Sequence, residues 1–130
     1  MTVNGELAFT SASELRDLIG ARQVSPVELV KLYYERIDRL DPQLNAYLTL
    51  ATDEALKTAQ AAEDAIMRGD DLGPLHGVPI GVKDLEMTAG IRTTGGSLVY
   101  KDRVPTADSI VVERVRAAGA VILGKTNTPE

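Results

Sequence analysis

The first half of the chain carries the hydrophobic periodicity of amphipathic helices, with apolar residues recurring at the spacing of a helical turn. A first helix is predicted to be capped by Ser11 or Ser13 and to end near Ala21. Its buried stripe consists of Leu15, Leu18 and Ile19.

Ser25 and Pro26 predict the start of a second helix, because serine is a preferred N-cap and proline suits the first helical position. Glu28 completes the pattern of a capping box. The broad apolar face consists of Leu29, Val30, Tyr33, Tyr34, Ile37 and Leu40. This spacing assigns both tyrosines to the core and its margin. We expect the helix to stop at Asp41 and Pro42, because a residue before proline disfavours the helical conformation.

Residues 46–50 alternate weakly between apolar and polar and predict a short strand. Thr52 is expected to cap a third helix that runs to about Arg68. One side of this helix carries Ala55, Ala59, Ala62 and Ile66. Alanine buries little area, so this helix must pack on a larger body. Residues 1 to about 68 are therefore predicted to be a helical layer, with the passage into a sheet at residues 69–74.

From residue 78 the pattern changes to strand, loop, helix and strand. Val78, Ile80 and Val82 alternate with small or polar residues and are predicted to share one face of a strand. The 20 residues from 85 to 104 are too long for a plain loop, and an extended piece is expected at residues 98–100.

A helix is predicted to follow Pro105 and Asp108, with Gly119 as the left-handed residue at its end. Its inner side is assigned to Ile110, Val111, Val115 and Ala118. Residues 120–123 then form a buried strand. A crossover helix usually joins parallel strands, so the C-terminal ends of both strands should lie at one edge of the sheet. That rim would hold Lys83 and residues 125–127, where ligand sites of open α/β sheets collect.

Lys83 is the strongest candidate for catalysis from its local pattern. It ends an apolar strand on the face where Gly81 leaves room, so we expect burial to lower its pKa toward the range of a general base. The alternative is that Lys83 and Asp84 are the solvated end of the strand. Asp84 should face the other side and fix the following turn rather than pair with Lys83.

Composition narrows the possible functions. The chain has 130 residues, a net charge of −5, one histidine and no cysteine. Direct binding to nucleic acid or to an anionic membrane is not expected, because both require concentrated positive charge. The cysteine and histidine counts exclude a disulfide framework and a histidine-based metal cluster. The sequence shows neither a signal peptide nor a membrane-spanning segment, and we expect a cytoplasmic protein.

Three motifs follow one another in order: GPLHGVPIGVKD at residues 73–84, TTGGS at residues 93–97 and AAGAVILGKTN at residues 117–127, with Pro129 and Glu130 after them. In this order and over about half of the chain, they resemble the N-terminal part of the amidase signature family.

The resemblance implies an amidohydrolase that uses a serine nucleophile, a second serine joined by a cis peptide bond, and a lysine, without metal or cofactor. Lys83 stands at the lysine position. The lysine takes a proton from the second serine, which activates the nucleophile, and glycine-rich backbone N–H groups stabilise the oxyanion. The resemblance places both serines downstream of residues 125–127 and beyond Glu130. Residues 95–97 (GGS) lack the second serine and the trailing glycines.

A competing motif is the phosphate-binding loop pattern G-x-x-x-x-G-K-[ST], which residues 119–126 satisfy. The variable positions are Ala-Val-Ile-Leu, an apolar run that predicts a strand rather than a turn with converging N–H groups. A nucleotide binder therefore remains only a remote alternative. Lys125 is expected to be either a solvated strand end or part of the rim.

His76 is expected to bond to backbone rather than to act in catalysis, because a lysine-based mechanism does not need it. The acidic pairs at residues 63–64 and 70–71 are assigned to solvated surfaces.

Together these observations predict an α/β protein with an amidase-signature-type mixed sheet and covering helices. Residues 1–130 would be the N-terminal portion of one amidase domain: a helical layer to about residue 68, then the start of the α/β core. Alone, such a piece should be inactive, with open strand edges beside residues 78–82 and 120–123. It should self-associate or bind the remaining C-terminal half, and the substrate would be a small-molecule amide. The alternatives are a noncatalytic docking fragment and an amidotransferase-type subunit.

Overall fold

The computed structural model describes residues 7–129 and gives them a mixed α/β architecture. In chain order the elements are helix α1 (Ala12–Gly20), helix α2 (Pro26–Leu44), strand β1 (Tyr47–Leu50), helix α3 (Thr52–Arg68), strand β2 (Pro79–Lys83), a short 3-10 helix (Leu98–Tyr100), helix α4 (Ile110–Ala117) and strand β3 (Val121–Thr126). Helices and one short strand occupy residues 12–68, and the strand–helix–strand unit follows from residue 79. None of the described helices is long and apolar enough to cross a bilayer.

The sheet has the strand order β1-β3-β2. β2 and β3 are parallel, as predicted, and helix α4 lies between them in the chain. The expectation of an open edge beside residues 120–123 is wrong, because β1 pairs with β3 antiparallel on its other side. β3 is therefore the central strand and β2 an edge strand of the described sheet.

Serine caps set the starts of the first two helices, as predicted. Ser11 Oγ accepts the Glu14 N–H at 3.3 Å, and Ser25 Oγ accepts the Glu28 N–H at 3.2 Å. Each cap satisfies one backbone donor that has no partner within its helix. The local sequence thus fixes where α1 and α2 begin.

The predicted stop of α2 before Pro42 is wrong, because the helix continues to Leu44. Pro42 lies in its last turn, where the Asp41 carboxylate accepts the Ala46 N–H at 2.7 Å. The Asn45 N–H donates to the Asp41 carbonyl at 2.8 Å. These bonds close the helix end and offset the donor that proline lacks.

Thr52 is predicted to cap α3 but is instead its first helical residue. Ala51 occupies the N-cap position without a side-chain bond. The Ala51 N–H donates to the Leu123 carbonyl at 2.9 Å. This bond to β3 places the end of the β1 segment, and the helix begins directly after it.

Three apolar clusters form the core. The first joins α2 and α3 to β3 and contains Val30, Tyr34, Ala55, Ala59, Val121 and Leu123. The second contains Leu15, Ile19, Leu29, Ile66 and Val78, and the third contains Val82, Ile91, Val112 and Ile122. Val78 precedes β2 and packs among the helices, so it does not share a cluster with Val82 as its alternation predicted. Tyr34 also donates from its hydroxyl to the Leu123 carbonyl at 2.7 Å.

The prediction of which α4 residues face the core is wrong. Val112 is completely buried, whereas Ile110 and Val111 are 70% and 58% exposed. The helix spans only eight residues with apolar side chains on two faces, so periodicity alone does not select the packed one. Val112 does so by packing in one cluster with Val82 of β2 and Ile122 of β3.

The predicted extended piece at residues 98–100 is a 3-10 helix. Ser97 Oγ accepts the Val99 N–H at 3.2 Å and caps it. A capped turn supplies the backbone bonds that an unpaired extended segment would lack.

Candidate active-site rim

The C-terminal ends of β2 and β3 lie side by side and form the rim that the sequence predicts. In the ladder, Val82 pairs with Lys125 and Lys83 pairs with Thr126. The Asp84 N–H continues the ladder by donating to the Thr126 carbonyl at 2.9 Å. The two candidate lysines therefore stand one ladder position apart on neighbouring strands.

Lys83 is exposed, so the expectation that β2 buries it within this chain is wrong. A Cβ atom at Gly81 would lie 2.9 Å from the Tyr47 hydroxyl and 2.9 Å from the Thr126 methyl group. Those two side chains, rather than the lysine, fill the room that Gly81 leaves. The backbone of Lys83 is nevertheless fixed, because its carbonyl accepts the Glu86 N–H at 2.9 Å.

Lys125 is the buried lysine of the rim, with no exposed surface. Its Nζ donates to the Glu86 carbonyl at 2.7 Å and to Thr93 Oγ1 at 2.7 Å. It also lies 3.8 Å from Asp84 Oδ1, and the Asp84 side chain is itself fully buried. The solvated strand end considered for Lys125 is therefore wrong, and its ammonium is held inside the rim.

Burial lowers the pKa of Lys125, and the charges of Asp84 and Glu86 oppose that change. Sequence reasoning missed this residue as a buried group, although one signal was present. Lys125 directly continues the apolar run of β3, in which positions 121–125 are all buried. In a central strand covered on both faces, a lysine that extends such a run enters the interior.

Asp84 fixes the loop that follows β2, as predicted. Its Oδ1 and Oδ2 accept the Thr94 N–H at 3.2 and 3.1 Å, and the Thr94 hydroxyl donates a further bond to Oδ2. The Gly95 N–H donates to the Asp84 carbonyl at 3.0 Å. The carboxylate thus holds the middle of the loop against the end of the strand.

The glycines of the TTGGS segment allow a close approach to the chain end of β3. Gly95 and Gly96 both have positive φ angles, 61° and 73°. A Cβ atom at Gly96 would lie 2.4 Å from Thr128 Oγ1. Thr93 also joins the segment to the later part of the loop. Its N–H donates to the Arg103 carbonyl, and its own carbonyl accepts from Arg103 Nε, both at 2.9 Å. The rim is therefore a fixed structure rather than an open excursion.

The phosphate-binding pattern at residues 119–126 does not form a phosphate-binding loop. Residues 121–126 are the strand β3, and helix α4 ends before Gly119. Gly119 has a φ of 91°, as predicted for a left-handed helix end. The N–H groups of a strand point to its neighbours and do not converge on one anion.

The remaining candidates take structural positions. His76 Nε2 lies 2.9 Å from the Ala62 carbonyl oxygen, which confirms a backbone contact. Asn127 Nδ2 donates to the Asn45 carbonyl at 3.0 Å and ties the end of β3 to the end of α2. In the acidic pairs, Asp64 accepts from Gln60 and Asp70 from Arg68, all at exposed positions.

Comparison with known proteins gives one family. The family model described as Amidase matches residues 28–130. A glutamyl-tRNA(Gln) amidotransferase subunit of Carboxydothermus hydrogenoformans is 43% identical over 125 residues, which cover 96% of this chain and 26% of the relative. Putative amidase AmiD of Mycobacterium tuberculosis is 48% identical over 113 residues, which cover 87% of this chain and 24% of the relative.

Solved structures agree with this result. A bacterial aryl acylamidase of the amidase signature family aligns with a TM-score of 0.87 and 35% identity, over 92% of this chain and 25% of its own. The peptide amidase of Stenotrophomonas maltophilia aligns with a TM-score of 0.85 and 38% identity, over 91% of this chain and 24% of its own. The chain spans about a quarter of the length of these proteins. Its sequence and its fold therefore both show that the chain belongs to the amidase signature family.

Proposed function

We propose that this chain supplies the lysine of an amidohydrolase, and that Lys83 is the proton acceptor. The observation that carries the proposal is the position of Lys83 at the shared end of the parallel strands β2 and β3, exposed and with its backbone held by Glu86 and the β3 ladder. Ligand sites of α/β sheets form outside these strand ends. An exposed amine at that edge is free to meet groups contributed by another part of the protein.

The reaction would be hydrolysis of a carboxylic amide to an acid and ammonia or an amine. The Lys83 side chain takes the proton of one serine hydroxyl, and that serine takes the proton of the nucleophilic serine as it attacks the amide carbonyl. The amine leaves with a proton as the acyl-serine forms, and water then releases the acid. The family resemblance assigns both serines to a segment downstream of Asn127, so residues 1–130 supply one member of the catalytic set.

Lys83 is preferred over Lys125 for this role. Lys125 donates two hydrogen bonds of 2.7 Å and lies 3.8 Å from the Asp84 carboxylate, so its ammonium is already held within the chain. Lys83 makes no hydrogen bond or ion pair with any side chain in the described part of the chain. A proton acceptor must be free to meet its partner, and Lys83 is the rim lysine that no side chain of the described residues holds.

A second candidate is the transfer function of an amidotransferase, which the similarity to the glutamyl-tRNA(Gln) amidotransferase subunit favours. Such a protein would release the amide nitrogen for transfer to an acceptor instead of leaving it in solution. Ammonia release from glutamine that rises on addition of a glutamyl-tRNA acceptor would favour this candidate. Release from simple carboxamides in buffer alone would favour the hydrolase.

The test uses the protein that carries this chain together with its C-terminal region, and measures ammonia or amine released from a panel of carboxamides. Lys83→Ala should lower kcat by at least ~10²-fold, the scale of a lost general base. Its circular dichroism should not change, because Lys83 is exposed. Lys57→Ala, on the α3 surface away from the rim, is the control and should keep full turnover.

Near-normal turnover of Lys83→Ala would rule out its assignment as the proton acceptor. No release from any carboxamide by the wild-type protein would overturn the hydrolase. The noncatalytic docking fragment would then be the better interpretation.

A further inference from the structure

The rim contains a buried charge that the proposed mechanism does not use. Lys125 and Asp84 are both fully buried, and their charged atoms lie 3.8 Å apart. Removing two charges from water costs several kcal/mol for each ion, and apolar side chains of similar volume often give equal or better stability. Stability alone is therefore a poor explanation for a lysine at this position.

The partners of Lys125 all lie on the segment that carries Lys83. Asp84 follows Lys83 directly, and the Glu86 carbonyl belongs to the turn that the Glu86 N–H closes on the Lys83 carbonyl. The third partner, Thr93, stands on the returning part of the loop and is also completely buried. The Lys125 ammonium on the central strand thus joins the turn after Lys83, through Asp84 and Glu86, to the returning part of the loop, through Thr93.

Thr93 contributes through its side chain alone at this contact. Its hydroxyl accepts from Lys125 Nζ and donates to the Ile91 carbonyl at 3.0 Å. Removal of the hydroxyl would leave Lys125 with the Glu86 carbonyl and Asp84, so the ammonium would shift toward them. A shift of the ammonium would be transmitted to Lys83, because the contacts of Lys125 are the side-chain contacts that join β3 to this turn among the described residues, beside the backbone bond from the Asp84 N–H to the Thr126 carbonyl.

We propose that Lys125, together with Thr93, is a positioning residue that fixes the direction in which Lys83 presents its amine. The proposal rests on the proposed function of Lys83. In this proposal Lys125 does not contact the substrate. Its role is to place Lys83. A misplacement of about 1 Å is enough to lower turnover by ~10²-fold in a preorganised site.

The test again uses the protein with its C-terminal region and the carboxamide that it hydrolyses fastest. Thr93→Val keeps the shape of the side chain and the Lys125–Asp84 pair, so it avoids leaving a buried charge unpaired. It should lower kcat by about 10- to 100-fold with KM nearly unchanged. Thr58→Val is the matched control, because its hydroxyl donates to the Glu54 carbonyl within α3. It should leave kcat unchanged.

A double-mutant cycle separates positioning from simple structural support. If Thr93 acts through Lys83, Thr93→Val should have no further effect on kcat in the Lys83→Ala background. Full additivity of the two substitutions would overturn the proposal. So would a Thr93→Val protein with normal kcat.

A second measurement does not depend on turnover. The rate at which an acylating reagent modifies Lys83, relative to Lys57 on α3, should change in Thr93→Val and not in Thr58→Val. An equal ratio in both variants would contradict the proposal. If Lys83→Ala keeps its turnover while the modification ratio changes in Thr93→Val, then the proposed function fails and the placement of Lys83 by Thr93 stands.

Discussion

Lys83 and Lys125 stand one ladder position apart on parallel neighbouring strands, yet Lys83 is exposed and Lys125 has no exposed surface. The two side chains point to opposite faces of the sheet, because Lys125 pairs with Val82 and successive residues of a strand alternate in face. The face that carries Lys125 is covered by the loop that follows β2, in which the Glu86 carbonyl and the Thr93 hydroxyl accept from its ammonium. The face on which a lysine stands, and the loop that covers that face, therefore decide which amine meets solvent.

This arrangement predicts unequal chemical reactivity of the two lysines. Brief reductive methylation of the native protein should label Lys83, while Lys125 should react only when the structure opens, because its ammonium is enclosed and bonded. Peptide mass spectrometry reads both sites in one sample. Labelling in urea supplies the control in which both lysines react. Equal labelling of the two lysines in the native protein would contradict the burial of Lys125.

Tyr34 predicts a specific loss of stability at alkaline pH. Burial raises its pKa from 10.0 to about 12. Between these values the unfolded chain has lost the phenolic proton and the folded chain retains it, so the free energy of unfolding falls as pH rises. The stabilisation is complete below pH 10 and should decline by on the order of 2 kcal/mol toward pH 12.

Tyr34→Phe isolates this contribution. At neutral pH the variant should be less stable by about 1 kcal/mol, since it lacks the hydroxyl that donates to the Leu123 carbonyl. Its stability should fall less steeply than that of the wild type above pH 10. Burial also raises the pKa of Tyr33 and Tyr47, but both are present in the two proteins and cancel in the comparison. Parallel urea-unfolding profiles across this range would count against the assignment.

Gly124 predicts where β3 does not tolerate a side chain. A Cβ atom there would lie 2.2 Å from the Thr49 carbonyl oxygen and 3.0 Å from the Leu50 Cα. Both are backbone atoms of β1, so relief requires the two strands to separate. Gly124→Ala should lower the free energy of unfolding by about 1 to 3 kcal/mol, the range of an overpacked core.

Gly20→Ala is the control for this substitution. The nearest atom to its new methyl group would be Arg16 Nη1 at 2.7 Å, the end of a side chain whose Nε and Nη2 donate to the Gly73 and Leu72 carbonyls. A side-chain end can shift where backbone cannot, and alanine favours the helix, so its stability should change by less than about 1 kcal/mol. Equal urea midpoints for the two variants would show that β1 is not held close to β3 at Gly124.

The sequence predicts the elements of this fold better than their packing. Serine caps and a left-handed glycine are local signals, and Ser11, Ser25 and Gly119 act as predicted. The predicted start of α3 is wrong because a tertiary bond from Ala51 to Leu123 decides it. The predicted inner face of α4 is wrong because an eight-residue helix with two apolar faces is oriented only by its neighbours.

The rim shows the same limit. Its members are predicted from the parallel pairing of two strands, and the structure brings them together as expected. The burial of Lys125 is missed because it depends on the loop after β2, whose Asp84, Glu86 and Thr93 enclose its ammonium through contacts that have no local signature in the sequence. The exposure of Lys83 is missed because Tyr47, distant in sequence, fills the space beside Gly81.

The central strand of the sheet is also the last of the described elements in the chain. β1 and β2 do not pair with each other, so neither has a partner until residues 121–126 are present. Contacts such as that between Tyr47 and Thr126 join distant parts of the sequence, and contacts of this kind form slowly. During synthesis the helices can dock early, but the strand that carries Lys83 gains its partner only when β3 has left the ribosome. A nascent chain arrested before that point would carry Lys83 on a strand without a partner.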